Sequence, residues 1–159
     1  MAIIVGISVL LVGAGSFATF IIVNGGDGSA EDTLREQVRA WWTGDADGLI
    51  ETFGSGPFMD LGGCSSIPHD QMVANLRNAV AGRRAEFEAF DDYEDLVDFD
   101  AMNPVSATSI SFVTKCGDTG ITEDDVWVVA PNKAGSPFDG GFGGVYRNMG
   151  GKWVMIAGD

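Results

Sequence analysis

The chain opens on 23 residues, Met1 to Val23, that carry no charge and almost nothing more polar than a hydroxyl. Wound as a helix at about 1.5 Å per residue, this run reaches roughly 33 Å, enough to cross a hydrocarbon core of about 30 Å. We read residues 1–23 as a transmembrane helix. A cleaved leader needs a basic segment, a shorter apolar core and a small-x-small site after that core. Ser16-Phe17-Ala18 has the small-x-small form, but Thr19-Phe20-Ile21-Ile22-Val23 carries the apolar run past it, so the segment is expected to be retained.

The flanks say little about orientation. No Lys or Arg precedes the span, and Asp27, Glu31 and Asp32 come after it, with Arg35 and Arg39 close behind. The positive-inside rule counts only the basic residues. A span that opens a chain usually exports the domain attached to its C-terminal end, and two cysteines in the remainder agree with an oxidising compartment. The expectation is a single-pass protein of the cell membrane with its soluble domain on the extracytoplasmic side. Gly6, Gly13 and Ser16 share one stripe of the helix, where small residues permit close packing of another membrane helix; a plain tether is the simpler alternative. Leu61-Gly62-Gly63-Cys64 resembles a lipidation box but lies too far beyond the apolar run to serve as an anchor.

All 9 basic and all 23 acidic residues come after residue 26, so the remainder carries the whole net charge of −14. Such a surface repels nucleic-acid phosphates and anionic lipid headgroups, and a nucleic-acid role is excluded. The acidity either keeps an exported domain soluble or attracts a basic partner or cations. About 135 residues suffice for one core, and the 10 Phe help to fill it, while 23 Gly announce many turns. The expected organisation is a span over 1–23, a flexible linker over 24–29 and one extracytoplasmic domain over 30–159.

Ser29, with Glu31 and Asp32 just after it, is a helix N-cap signal, and Leu34, Val38, Trp41 and Trp42 recur at helical spacing up to Gly44. Asp45 caps a second, shorter helix with Leu49, Ile50 and Phe53 inward, stopped by Gly54-Ser55-Gly56-Pro57. Residues 58–66 read as loop. Ser66-Ile67-Pro68 opens a third helix, striped by Met72, Leu76 and Val80 and ending near Gly82. The periodicity then changes. Residues 93–99 are a candidate strand, and 107–116 a better one, with Ile110, Phe112 and Cys116 on one face by alternation. Residues 123–130 form the strongest strand by propensity, and 143–147 pair with 152–156 as a hairpin across 148–151. Helices first and strands after predict the α+β class, with helices packed on one face of an antiparallel sheet.

This order, with Val38-Arg39-Ala40-Trp41-Trp42-Thr43-Gly44-Asp45 near the front and Gly151-Lys152-Trp153-Val154-Met155 at the end, resembles the nuclear-transport-factor-like (cystatin-like) superfamily. There a long first helix ends in a Gly-Asp turn and the last strands carry a Gly-Lys-Trp-Val type ending. With its anchor, the chain looks like the small membrane-anchored proteins of that kind in actinobacterial envelopes. The resemblance implies a curved sheet wrapped against helices into a cone with an apolar cavity. Some members, similar to ketosteroid isomerase and scytalone dehydratase, do proton-transfer chemistry in the cavity, and others only bind ligands or partners; fold does not choose between them.

Proton transfer in a cone needs an inward carboxylate or His with a shifted pKa. His69 is the one histidine, placed beside Asp70 at the start of a helix, where a solvated end residue is the commoner role. Asp60 and Asp70 are candidates to face a cavity, but the expected inner residues, Ile110, Phe112, Val126 and Val128, are all apolar. Ser65-Ser66 with His69 lacks the context of a nucleophile elbow. One His and two separated Cys do not make a zinc site. Asp45-Ala46-Asp47-Gly48 has the look of a calcium loop, but Ile50 stands where an EF-hand needs Gly, and Asp45 is better explained as a cap. Residues 86–100 hold Glu86, Glu88, Asp91, Asp92, Glu94, Asp95, Asp98 and Asp100 among interleaved apolar residues, which fits a solvated face or, less simply, a dock for a basic partner.

Cys64 and Cys116, both in an exported domain, are expected to join, the alternative being two buried thiols. Closing that loop would stabilise the fold by roughly 4 kcal/mol in the chain-entropy model. These observations lead to an expectation of no catalytic residue, cofactor or metal. The first reading is a membrane-anchored accessory or interaction protein of the cell envelope, an accessory subunit of a larger membrane complex such as a respiratory one, with the lipid bilayer and other membrane proteins as partners. The alternatives are a module that binds a small apolar ligand and, third, an isomerase- or dehydratase-type enzyme.

Overall fold

The computed structural model describes residues 28–158. The expected membrane helix with Gly6, Gly13 and Ser16, and the linker as far as Asp27, lie outside the described residues. Among those described, no helix is long and apolar enough to cross a membrane.

Helix α1 (Ala30–Thr43) begins as the sequence signals: the Ser29 hydroxyl accepts from the Asp32 amide, and the Asp32 side chain accepts in return from the Ser29 amide. It buries Leu34, Gln37, Val38 and Trp41, and Gly44 at φ 73° ends it in the left-handed turn that glycine adopts without strain. Asp45 then accepts from the Gly48 amide at 2.9 Å and starts α2 (Ala46–Glu51), which buries Leu49. Residues 58–66, expected as loop, instead form an antiparallel pair, β1 (Phe58–Asp60) and β2 (Ser65–Ile67). These strands are too short to show alternation. Helix α3 (His69–Phe87) follows with Pro68 at its N-cap position and no side-chain cap, Ser66 being taken up in β2; it runs through Gly82 rather than ending there and buries Met72, Val80 and Phe87.

Neither of the next two expected strands forms. Residues 93–99 are two short 3-10 turns, Tyr93–Asp95 and Phe99–Ala101, capped by Asp92 and Asp98, whose side chains accept the amides two residues on. Local capping of this kind competes with a strand ladder. In residues 107–116 a 3-10 turn (Ala107–Ser109) leads into the short helix α4 (Ser111–Lys115), after a two-residue strand β3 (Val105–Ser106). Ile110, Val113 and Cys116 therefore meet at helical spacing, not by alternation.

The long strands are β4 (Val126–Pro131), β5 (Gly141–Met149) and β6 (Lys152–Gly158). The last hairpin is longer and tighter than expected, with Met149 opposite Lys152 and only Gly150-Gly151 in the turn. The sheet is six-stranded in the order β2-β1-β6-β5-β4-β3. It is mixed rather than antiparallel, because β1 joins β6 in parallel, Met59 beside Ala157. Strand β1 follows α2 and is far from β6 in sequence, so no hairpin forces the two to run antiparallel. Between Val145 and Tyr146 the register shifts, and Ile156 is the extra residue on β6; such a bulge bends the strand.

Both faces of the sheet are covered. On one, α1, α2 and α3 pack with Val128, Ala130, Tyr146 and Met155 into the main core. On the other, residues 107–116 lie over Val145, Ala157 and Trp127 in a smaller cluster with Leu61 and Val113. Ile110, expected beside Val126 and Val128, belongs to this second face. The fold class is α+β.

Candidate functional site

A hollow of about 300 Å³ lies between the helices and the main-core face of the sheet. Trp41 comes from the C-terminal half of α1, Met72, Leu76 and Ala79 from one stripe of α3, Phe53 from the stretch after α2, Phe58 from the start of β1, and Phe142 and Met155 from β5 and β6. Asn75 is the one amide side chain among them, and the described lining holds no ionisable group. A wall of this kind offers dispersion and apolar burial, at roughly 25 cal/mol per Å² of apolar surface covered.

Beside the hollow sits a buried polar pair. The Tyr146 hydroxyl donates to Gln37 Oε1 at 2.6 Å, and Gln37 Nε2 reaches Met155 Sδ at 3.5 Å. Both side chains are fully buried. Burial pushes the Tyr146 phenol far above its ordinary value, so it stays neutral and hydrogen-bonds rather than acting as a base. Sequence reasoning passed over Gln37, whose signal is a polar residue set within the apolar stripe Leu34, Val38 and Trp41; its partner on β5 has no such signal.

The opposite face carries a second polar cluster, whose Arg147 lines a cleft of about 350 Å³ together with Thr119, Gly120, Ile121, Met149 and residues of β1 and β6. Asp125, 1% exposed, receives Arg147 Nε at 2.7 Å and Nη2 at 2.6 Å, together with the Thr122 amide at 2.7 Å. Burial works to raise the Asp125 carboxyl, but the Arg147 and Thr122 bonds outweigh it and hold it below the usual carboxylate range. Arg147 Nη2 also donates to the Gly120 carbonyl at 2.7 Å, which locks the 117–122 loop to β5. Asp125 precedes its strand by one residue and Arg147 is 22 positions away, a separation with no sequence signal.

The residues weighed from sequence do not converge. His69 Nδ1 lies 3.1 Å from the Gly54 carbonyl oxygen at the start of α3, outside the lining of the hollow. Asp60 does not face it either: its carboxylate accepts the Gly63 and Gly62 amides and the Ser65 hydroxyl, which lower its pKa and brace the β1–β2 turn. Asp70, Ser65 and Ser66 are exposed. Asp47 pairs with Arg77 at 2.8 Å on the surface. Among the described residues no three His, Cys, Asp or Glu side chains gather as metal ligands.

Cys64 and Cys116 stand at disulfide distance, Sγ to Sγ 2.09 Å with Cα atoms 5.1 Å apart. The link runs from the β1–β2 turn to the end of α4, so it clasps the second-face cover onto the sheet. In the acidic stretch Leu96, Val97 and Phe99 are buried, while Glu86 and Glu88 pair with Arg83 and Arg84. No protein family, curated protein or solved structure matches the chain.

Proposed function

We propose that the chain is a membrane-anchored, non-catalytic binding module of the cell envelope, with a nuclear-transport-factor-like domain that holds a small apolar ligand in the hollow between α1, α3 and the sheet. The observation that carries this reading is the lining itself: aromatic and aliphatic side chains converge from separate elements around about 300 Å³, with an amide and no titratable group among them. Core side chains of this size ordinarily close on one another at crystal-like density, so space left open among them is a place for a ligand. The Gly44-Asp45 turn after α1 and the Gly151-Lys152-Trp153-Val154 entry to β6 support the family likeness. The anchor over 1–23 rests on its apolar run, and the extracytoplasmic side on the paired cysteines.

A second reading, the accessory subunit of a larger envelope complex, draws support from the acidic stretch, where Leu96, Val97 and Phe99 are buried and Asp91, Glu94, Asp95 and Asp100 are exposed. It implies basic partner proteins and leaves the hollow for one of their apolar side chains.

The test is a titration of the full chain in lipid nanodiscs with a neutral polarity-sensitive fluorophore, compared with Ala79→Trp, which fills the hollow. Saturable binding in the wild type and its loss in the variant are expected. Equal signals from both would refute ligand binding at this place.

A further inference from the structure

We infer that the tip of the β5–β6 hairpin, Met149 with Lys152, is a contact point for the phospholipid bilayer interface on the side where the anchor emerges; this rests on the membrane-anchored reading above. The direction of α1 along the sheet is fixed by contacts at three levels. Near its C-terminal end Trp41 meets Phe138, just ahead of β5, with ring centroids 6.5 Å apart. At its middle Gln37 takes the Tyr146 hydroxyl. Near its N-terminal end the Thr33 hydroxyl donates to the Trp153 carbonyl oxygen at 3.1 Å. Helix α1 is therefore antiparallel to β5, and the Gly150-Gly151 turn lies at the end of the molecule from which the chain leads back to the apolar run.

That end is on a short lead. From Val23 to Ser29 there are six residues, which even fully extended reach at most about 20 Å. The chemistry of the tip suits a bilayer surface at that distance. In a chain of net charge −14, residues 141–158 contain no Asp or Glu and two basic residues, Lys152 and Arg147, the latter already paired with Asp125. Met149 is 57% exposed, the large apolar side chain that stands out on the described surface. Lys152, directly opposite it in the ladder, is exposed as well. An apolar side chain beside a long-stemmed ammonium is a pairing fitted to a membrane interface, with the methyl end in the acyl boundary and the charge at the phosphates. Glu31 and Asp32 share this end, with Asp32 turned onto Ser29 by the capping box, and so do the exposed Glu123 and Asp124, just ahead of β4 where Val126 pairs with Tyr146. These carboxylates oppose attraction to strongly anionic lipid, so the contact is apolar first and electrostatic second.

The experiment uses the full chain in phosphatidylcholine vesicles, with a neutral environment-sensitive fluorophore on Met149→Cys and, separately, on Ala134→Cys at the opposite end of the sheet. Flotation of the vesicles comes first, then quenching by brominated acyl chains. The expected result is that the protein floats, the label at 149 shifts to the blue and loses most of its emission to brominated lipid, and the label at 134 does neither. If the protein floats but the label at 149 stays in water, the inference falls while the anchor stands. Quenching of both labels alike would also overturn it, by showing no preferred end. A chain that does not float removes the anchored reading and this inference together.

Discussion

Gly143 has φ 149°, and a Cβ on it would overlap the Val128 carbonyl oxygen and come within 2.8 Å of the Val129 Cα, both backbone atoms that cannot swing aside. The close approach of β5 to β4 beside Phe142 depends on that missing atom. Gly143→Ala is expected to lose about 2 kcal/mol, in the range of overpacked sites, read as a lower urea midpoint with unchanged slope. Tyr146→Phe leaves Gln37 Oε1 buried without its donor and is expected to cost about 1–3 kcal/mol. Adding Gln37→Leu to it should recover most of that loss, because both polar partners then go together. Asp125 gives a pH signature. Its carboxyl is held lower in the fold than in the unfolded chain, so its contribution is complete above the unfolded value of about 4 and drains away as the pH falls through the lowered folded value. Asp125→Asn should therefore show a shallower loss of stability on acidification below about pH 4; parallel curves for variant and wild type would contradict the assignment.

At the scale of elements, the clasp between Cys64 and Cys116 holds a cover whose own core is small, with Ala107, Val113 and Leu61 against Val145 and Ala157. For a loop of separation 52, its removal should cost about 4 kcal/mol. In Cys64→Ser with Cys116→Ser, amide exchange is expected to accelerate over residues 107–121 well before α1 and β5, since the main core does not include that segment. Equal acceleration everywhere would mean that the cover is integral to the main core. The same segment shows where sequence reading stops. The caps at Ser29 and Asp45, the stripes of α1 and α3, the β5–β6 pairing and the cysteine partnership were legible because each is set by neighbours a few residues apart or by the cysteine count. Residues 107–116 alternate as a strand does, yet the sheet already has its strands, and burying Val113 against the second face favours a helical turn. The parallel joining of β1 to β6 was hidden because strands of three residues carry no period of their own. The lining of the hollow was half legible: Trp41, Phe53, Met72 and Leu76 were read as inward-facing, while Phe142 and Met155 join them only through the register of β5 and β6.

At the scale of the whole molecule, the hollow and the hairpin tip fall at different places along β5. Phe142 at the hollow is near its start, and Met149 at the proposed bilayer contact is at its end. Under the proposed reading, an anchored domain would keep one end at the lipid and the hollow toward the other, open to an envelope partner or a diffusing apolar molecule. The most direct measurement is native mass spectrometry of the full chain released from its native membrane in mild detergent, beside Ala79→Trp prepared in the same way. A module that holds a small apolar ligand should carry a bound neutral mass at one per chain, lost from the variant. If each protein, folded, appeared only at the bare mass of its own chain, the account would be contradicted.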